Sequence, residues 1–247
     1  MDFAIETNNL TKKFKDLTAV AELNLRIPKG EIFGLVGPDG AGKTTTLRML
    51  STAMEQTSGK IKVLGYHNLT EEEKIRDRIG YMPQRFSLYG DLTVDENLDF
   101  FADLYQVERS VRKQKRDELL AFTGLAPFTK RKGAQLSGGM QKKLALASNL
   151  IHTPEVLFLD EPTTGVDPIS RREFWRILYG LTGVTILVTT PYMDEAERCN
   201  RVGLIREGKL LICDTPAEVK NKVGAATLEE AFIKIVEGNR VWGCANV

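Results

Sequence analysis

The chain is poor in the residues that build metal centres and disulfide frameworks. Its 247 residues include two histidines, His67 and His152, far apart in sequence, and three cysteines, Cys199, Cys213 and Cys244, an odd set without CxxC spacing. That pattern argues against a His/Cys zinc site and against disulfides. Charge of one sign is also missing: 34 Lys and Arg against 33 Asp and Glu leave a formal +1. No global field therefore draws the chain to nucleic acid or lipid, and any partner is recognised locally. No apolar stretch approaches the ~20 residues of a membrane-spanning helix, and the opening MDFAIETNNLTKKF lacks the basic-then-apolar plan of a secretory signal. The expected compartment is the cytosol. Internal repeats and low-complexity linkers are absent as well. What remains is ordinary for a folded domain: 42% apolar and 27% charged residues, in a length that suits one large domain or a core with a small lobe.

Hydrophobic patterning orders the chain. FAIETNNLTKKF and AVAELNLRIPKG are β-rich, and the apolar run EIFGLVG, bounded by glycine, reads as a buried strand. KTTTLRMLSTAM follows at once, with Leu47, Met49, Leu50 and Met54 near helical spacing. From about Thr70 to Lys132 the sequence is richer in charge and helix. Thr70 with Glu73 and Thr93 with Glu96 fit capping boxes, and Val94, Leu98, Phe101 and Tyr105 share one face. Strand and helix then alternate through EVLFLDEP, SRREFWRILYGL and TILVTT, and two short strands are predicted in RVGLIREGKLLICD. Such alternation predicts an α/β fold with a parallel sheet. TLEEAFIKIVEG reads as a short amphipathic helix, and GNRVWGCANV shows no period.

Three stretches carry chemistry. Gly37, Pro38, Asp39, Gly40, Ala41, Gly42, Lys43 and Thr44, with Thr45 next, match GxxxxGK[ST] between a buried strand and a helix. Glycines there let backbone N–H groups wrap phosphate oxygens at a helix N-terminus. Lys43 adds a full charge, and Thr44 a hydroxyl for Mg²⁺. EVLFLDEP delivers Asp160 and Glu161 to the C-terminal end of a buried strand, where open α/β sheets bind ligands. Asp160 can hold magnesium, and Glu161 can polarise an attacking water. Ser137, Gly138 and Gly139, before an amphipathic helix, form a further backbone-rich anion site with a hydroxyl donor.

These motifs, in this order, resemble the nucleotide-binding subunit of an ABC transporter over nearly the whole chain. Lys43 and Thr44 lie in a Walker A-like loop. Gln84 in GYMPQ stands at the Q-loop position, and Leu136 to Met140 resembles the LSGGQ signature with Met140 in place of glutamine. Asp160 and Glu161 resemble the Walker B pair, and Gly165-Val166-Asp167 the D-loop. Phe14 falls where the family stacks an aromatic on adenine. The resemblance implies a P-loop NTPase core with a parallel sheet, an N-terminal antiparallel β subdomain and a helical subdomain. Residues 1–240 would form one ATP-binding domain, with its RecA-like core at about 1–84 and 150–220 and its helical part at about 85–149, and 221–247 would be a short tail. It further implies ATP and Mg²⁺ as ligands, with Thr44, Gln84 and Asp160 on the metal. A second such domain, in a homodimer or as a heteromeric or fused half, would close each site with its own signature.

Separate membrane permease subunits are the other implied partners, and nucleic acid is not. GYMPQ, LYGDLTVDENLDFFADLYQV and the terminal LEEAFIKIV resemble exporters of the ABC-2 kind, held at the cytoplasmic face of the cell membrane. Arg85 to Tyr105 is the expected docking surface, with Phe86, Leu88 and Tyr89 either exposed to a partner helix or part of the core. Pro191 departs from the family, which places a γ-phosphate-contacting histidine there; proline has no side-chain donor and no N–H. His152, in the turn before the Walker B strand, does not replace it and reads as a packing residue. A proline at 191 also resembles certain exporters that fuse two ATPase halves, which need not be equivalent, in one polypeptide; in that case the chain would be one such half. Two alternatives stay open at this level: a catalytically weak nucleotide switch, and a soluble ABC protein acting on ribosomes or DNA.

Overall fold

The computed structural model describes residues 2–85, 88–238 and 242–244. Two sheets organise it. The first is antiparallel and uses β1 (Phe3–Phe14), β2 (Leu17–Leu23), β3 (Arg26–Pro28), β5 (Ser58–Val63) and β6 (Tyr66–His67), in the order β2-β1-β5-β6 with β3 also on β1. The second has seven strands: β4 (Ile32–Val36), β7 (Ile79–Met82), β8 (Val156–Asp160), β9 (Thr185–Thr190), β10 (Arg201–Arg206), β11 (Lys209–Asp214) and β12 (Gly243–Cys244), ordered β12-β11-β10-β4-β9-β8-β7. From β10 through β7 every neighbouring pair is parallel, and β10 with β11 is an antiparallel hairpin.

Strands β4, β8 and β9 are buried at every residue, as unbroken apolar runs in a doubly covered parallel sheet require. The pleat sends alternate side chains to opposite faces. Phe33, Leu35, Val156, Phe158 and Leu187 pack with Leu47, Met49 and Leu50 of α1 (Lys43–Leu50) and with Ile5 and Leu10 of the antiparallel sheet. Ile32, Val36, Leu157, Leu159, Ile186 and Val188 face the other way, onto α5 (Gly138–Leu150) and α6 (Pro168–Gly180). The register sets Val36 opposite Thr190 and Asp160 opposite Thr189. The C-terminal ends of three adjacent strands therefore deliver the glycine loop, the acidic pair and the Pro191 turn to one edge.

A helical layer follows β7. In α3 (Val94–Leu104) the Thr93–Glu96 capping box forms: Thr93 Oγ1 accepts from the Glu96 N–H at 3.2 Å, and the Glu96 carboxylate accepts from the Thr93 N–H at 2.7 Å. The second expected box does not. Helix α2 (Glu72–Arg76) starts after Glu71 without a side-chain cap, because the Glu71 carboxylate instead accepts from the His67 N–H and from Lys74. Strand β7, α7 (Met193–Ala196) and α8 (Pro216–Val223) also escape the pattern reading, being short or flanked by helical composition. α4 (Arg109–Thr123) ends on Gly124 in the left-handed region, and α9 (Leu228–Glu237) lies as expected. No helix among the described residues is long and apolar enough to cross a membrane. One expectation is overturned: Cys213, buried on β11, is disulfide-bonded, because cysteine count and spacing do not show which strands the fold sets side by side.

His152 is a packing residue. Its ring stacks on Tyr105 with centroids 3.7 Å apart and planes 9° apart, and Nε2 lies 2.9 Å from the Ile79 carbonyl oxygen. Burial, partly opposed by that carbonyl, pushes its pKa below the usual histidine value. The unfolded chain thus takes up a proton that the folded chain resists, so stability is present above the ordinary histidine pKa and is lost as pH falls below it. Urea midpoints measured between about pH 7 and about pH 5 should fall more for wild type than for His152→Gln.

Candidate functional site

The glycine loop begins where β4 ends. Gly42 sits at φ 100°, and a Cβ there would lie 2.4 Å from the Ala19 carbonyl oxygen, so only glycine lets the loop tuck under β2. No side chain caps α1 at Gly42 and its first turn holds no acidic residue, which leaves the positive end of the helix to an anion. Lys43, 4% exposed, donates from Nζ to the carbonyls of Gly37 at 2.8 Å and Pro38 at 3.1 Å. Gly37 and Pro38 thereby hold the lysine, and the rest of the loop faces a cavity.

The acidic pair separates by environment. Asp160 ends β8, and one of its oxygens accepts from Thr44 Oγ1 at 3.0 Å and from Thr189 Oγ1 at 2.7 Å. Glu161 starts the turn with φ 45°, a conformation that costs a non-glycine residue ~1 kcal/mol or more. Its N–H is held by the Thr189 carbonyl at 3.1 Å and hydroxyl at 3.0 Å. That turn throws the carboxylate across the sheet edge to 3.2 Å from Lys43 Nζ, where it also accepts from Gln84 Nε2 at 2.7 Å and Thr164 Oγ1 at 3.3 Å. Glu161 is 6% exposed, so this is a desolvated ion pair with its remaining lone pairs satisfied by neutral donors.

A cavity of about 660 Å³ joins these groups. Phe14 and Leu17 from the β1–β2 turn form one wall. Asp39 through Thr45 form the floor, and Gln84, Glu161 and Glu207 close the rest. Phe14 is exposed on its outer side, with Lys12 Nζ 5.1 Å from the ring centroid. A second cavity of about 650 Å³, lined among others by Lys13, Asn24 and Lys209, holds none of the motif residues.

Ser137, Gly138 and Gly139 stay outside that cavity. Ser137 Oγ caps α5 by accepting from the Met140 N–H at 3.3 Å. A Cβ on Gly139 would sit 2.7 Å from Ser170 Cβ, so the second glycine is needed for α5 to pack against α6. Asp167 caps α6, accepting from the N–H groups of Ile169 and Ser170 at 3.0 Å each, and those bonds hold its pKa low. Further residues belong to the site that motif reading missed. Thr189 and Thr164 position the acidic pair. Lys142, one turn along α5, donates to the Gln84 carbonyl at 2.6 Å; burial lowers its pKa while the Asp160 and Glu161 carboxylates oppose that. No motif marks a threonine on a strand or in a turn, but Lys142 lies two residues past the signature.

A phosphate-type loop on a central parallel strand, with its lysine paired to an acidic residue from the end of the next strand but one, defines a P-loop nucleotide triphosphatase fold. The family model described as ABC transporter matches residues 20–164, and the chain belongs to that family. The "Probable multidrug ABC transporter ATP-binding protein YbhF" of Escherichia coli (strain K12) is 44% identical over 239 residues, 94% of this chain, which spans 41% of that protein's length. The linearmycin resistance ATP-binding protein LnrL of Bacillus subtilis (strain 168) is 37% identical, over 91% of this chain and 73% of its own. Among solved structures, an ATP-binding subunit of an ABC transporter superposes with a TM-score of 0.85 at 25% identity, covering 94% of this chain and 99% of that one. The dimeric cassette MJ0796, in a post-hydrolysis state bound to ADP and Pi, gives 0.77 at 26% identity, covering 85% and 98%.

Proposed function

We propose that the chain is the ATP-binding and ATP-hydrolysing subunit of an exporter. The observation that carries this is the convergence of Lys43, Thr44, Gln84 and Glu161 on one cavity beside an uncapped helix start, with the buried Asp160 bonded to Thr44. Lys43 and the loop amides would neutralise the triphosphate, with Phe14 against the base. Magnesium fits the donors present. Among the described residues no cluster of three His, Cys, Asp or Glu could hold a metal alone, whereas the adjacent Thr44 hydroxyl and Asp160 carboxylate, with the Gln84 amide oxygen, suit an ion that completes its shell with phosphate oxygens and water. That ion would offset charge on the β- and γ-phosphates.

Hydrolysis then asks Glu161 to take the proton of the attacking water as its oxygen bonds the γ-phosphorus and the bond to the leaving ADP oxygen breaks. Lys43 must exchange its 3.2 Å contact with Glu161 for phosphate, which frees the carboxylate when nucleotide enters. Ser137, Gly138 and Gly139, outside their own chain's cavity, would cap the γ-phosphate bound by a second copy. The names of the relatives, for multidrug and linearmycin resistance, support export. An ATPase assay on the purified chain, with Glu161→Gln as blank, tests the reading.

A permease would bring the subunit to the cytoplasmic face of the membrane, and the helical layer offers it a surface. Tyr89 and Phe100, rings edge-on at 4.7 Å, line an apolar hollow of about 330 Å³ with Leu92. Tyr89 is 51% exposed, whereas Leu88, at 8%, belongs to the core, and Phe86 lies outside the described residues. The surface thus narrows to Tyr89, Phe100 and the exposed Leu104 of α3. Tyr89→Asp should leave ATP binding unchanged and abolish ATP-driven transport in membranes; a variant that still transports would remove Tyr89 from the interface.

Pro191 favours a slower enzyme. A missing donor to the reacting phosphate typically costs about 10²- to 10³-fold in rate, while Lys43 and the loop still bind. Pro191→His should therefore raise kcat with little change in KM, and a kcat that stays at the wild-type level would assign the slow step elsewhere.

A further inference from the structure

Behind the nucleotide cavity lies a buried carboxylate that the proposed chemistry does not use. Glu195, on α7, is 1% exposed. One of its oxygens accepts from Thr163 Oγ1 and faces Arg171 Nε at 3.4 Å; the other accepts from Thr190 Oγ1 at 2.8 Å. The two threonines border the site. Thr163 is two residues past Glu161, in the turn that aims its carboxylate. Thr190 precedes Pro191 and offers its carbonyl to the N–H of Gly37, the first residue of the glycine loop, at 3.3 Å. Its hydroxyl also accepts from the Tyr192 N–H at 3.0 Å, so Pro191 is held from both sides. Arg171 lies on α6 just after its Asp167 cap and stands 5.0 Å from the Tyr192 ring centroid.

We infer that Glu195 is a positioning residue for ATP hydrolysis, tying the Glu161 turn, the Pro191 turn and the start of the glycine loop into one rigid unit. The inference rests on the ATPase reading above. Its logic is that a side chain at 191 with no donor cannot fix its own loop on the nucleotide, so the loop's place is set from behind. A buried carboxylate shared by two hydroxyls and a guanidinium acts as a network whose members are worth more together than singly. Loosening it displaces Glu161 relative to the phosphates while Lys43 and the loop amides still bind them, and displacements of about 1 Å at a reacting group cost on the order of 10²-fold in rate.

The test is steady-state ATP hydrolysis with ATP affinity measured separately. Glu195→Gln and Thr190→Val should each lower kcat by about 10- to 100-fold with KM and nucleotide affinity close to wild type. Thr190→Ser, which keeps the hydroxyl, should retain wild-type kcat. The double variant should be no slower than the worse single one, because both cut the same link. A purely structural role would instead lower the folded fraction and the melting temperature with kcat per folded site unchanged. Should Glu195→Gln fail to fold, Thr190→Val against Thr190→Ser decides alone. Wild-type kcat in Thr190→Val, or equal losses in Thr190→Val and Thr190→Ser, overturns the inference and leaves the ATPase reading intact. Wild-type turnover no higher than that of Glu161→Gln overturns both.

Discussion

Glu161→Gln is expected to stop ATP turnover while nucleotide stays bound, with a loss of about 10²- to 10⁴-fold, the usual contribution of a positioned general base. The geometry explains why the two functions separate. The side-chain oxygen of glutamine still meets the donors Gln84 and Thr164 that now surround the carboxylate, and the turn that aims it is made by backbone bonds to Thr189, which the substitution does not touch. What disappears is the acceptor basic enough to take a proton from water. Nucleotide affinity should hold or improve, because Lys43 no longer has to leave a carboxylate to reach phosphate. With hydrolysis stopped, a nucleotide-sandwiched dimer should accumulate, and light scattering with MgATP would show it; a variant that stays monomeric under every nucleotide condition would require a different partner domain.

Lys43→Ala is expected to have the second large effect, on binding rather than on chemistry alone. Lys43 supplies the one buried full positive charge of the loop, and a charge-assisted bond to phosphate is worth about 1.5–3 kcal/mol, or roughly 10- to 100-fold in Kd. The same substitution leaves the Glu161 carboxylate buried without its cation, a defect that costs about 3–5 kcal/mol when one partner of a buried pair is removed. The melting temperature should therefore fall with affinity, and adding Glu161→Gln to Lys43→Ala should restore part of the stability while restoring none of the binding. Nucleotide titration followed by thermal melts separates the two losses. A Lys43→Ala chain with wild-type affinity would sink the phosphate assignment.

The glycine loop and the acidic pair beside the cavity were legible because they are written in local sequence. A glycine loop between a strand and a helix is constrained over eight consecutive residues, and EVLFLDEP announces both a buried strand and what it carries at its end. The supporting residues were not legible, because their roles come from register. Thr189 reads as one more β-former in TILVTT, and only the pairing of β9 with β8 sets it against Asp160. Glu195 reads as one of several acids in MDEAE until burial and its two threonine partners distinguish it. Thr70 and Glu73 show the opposite error: the spacing of a capping box is present, but Glu71 takes over the turn with other partners. Leu88 and Tyr89 are adjacent and both offer large carbon surfaces, yet one faces the core and the other faces out, a choice that tertiary packing makes.

The central claim is that a complete site needs the loop of one copy and the signature of another, and a mixing experiment tests it most directly. Lys43→Ala has a broken loop and an intact signature; Ser137→Arg has the reverse, its arginine being accommodated at an exposed helix start. Each alone should be inactive. Mixed with MgATP, they should form some dimers in which the intact loop of the Ser137→Arg chain meets the intact signature of the Lys43→Ala chain. ATP hydrolysis by the mixture well above the sum of the two separate chains is the predicted result, and a mixture no more active than that sum would contradict a site shared between two copies.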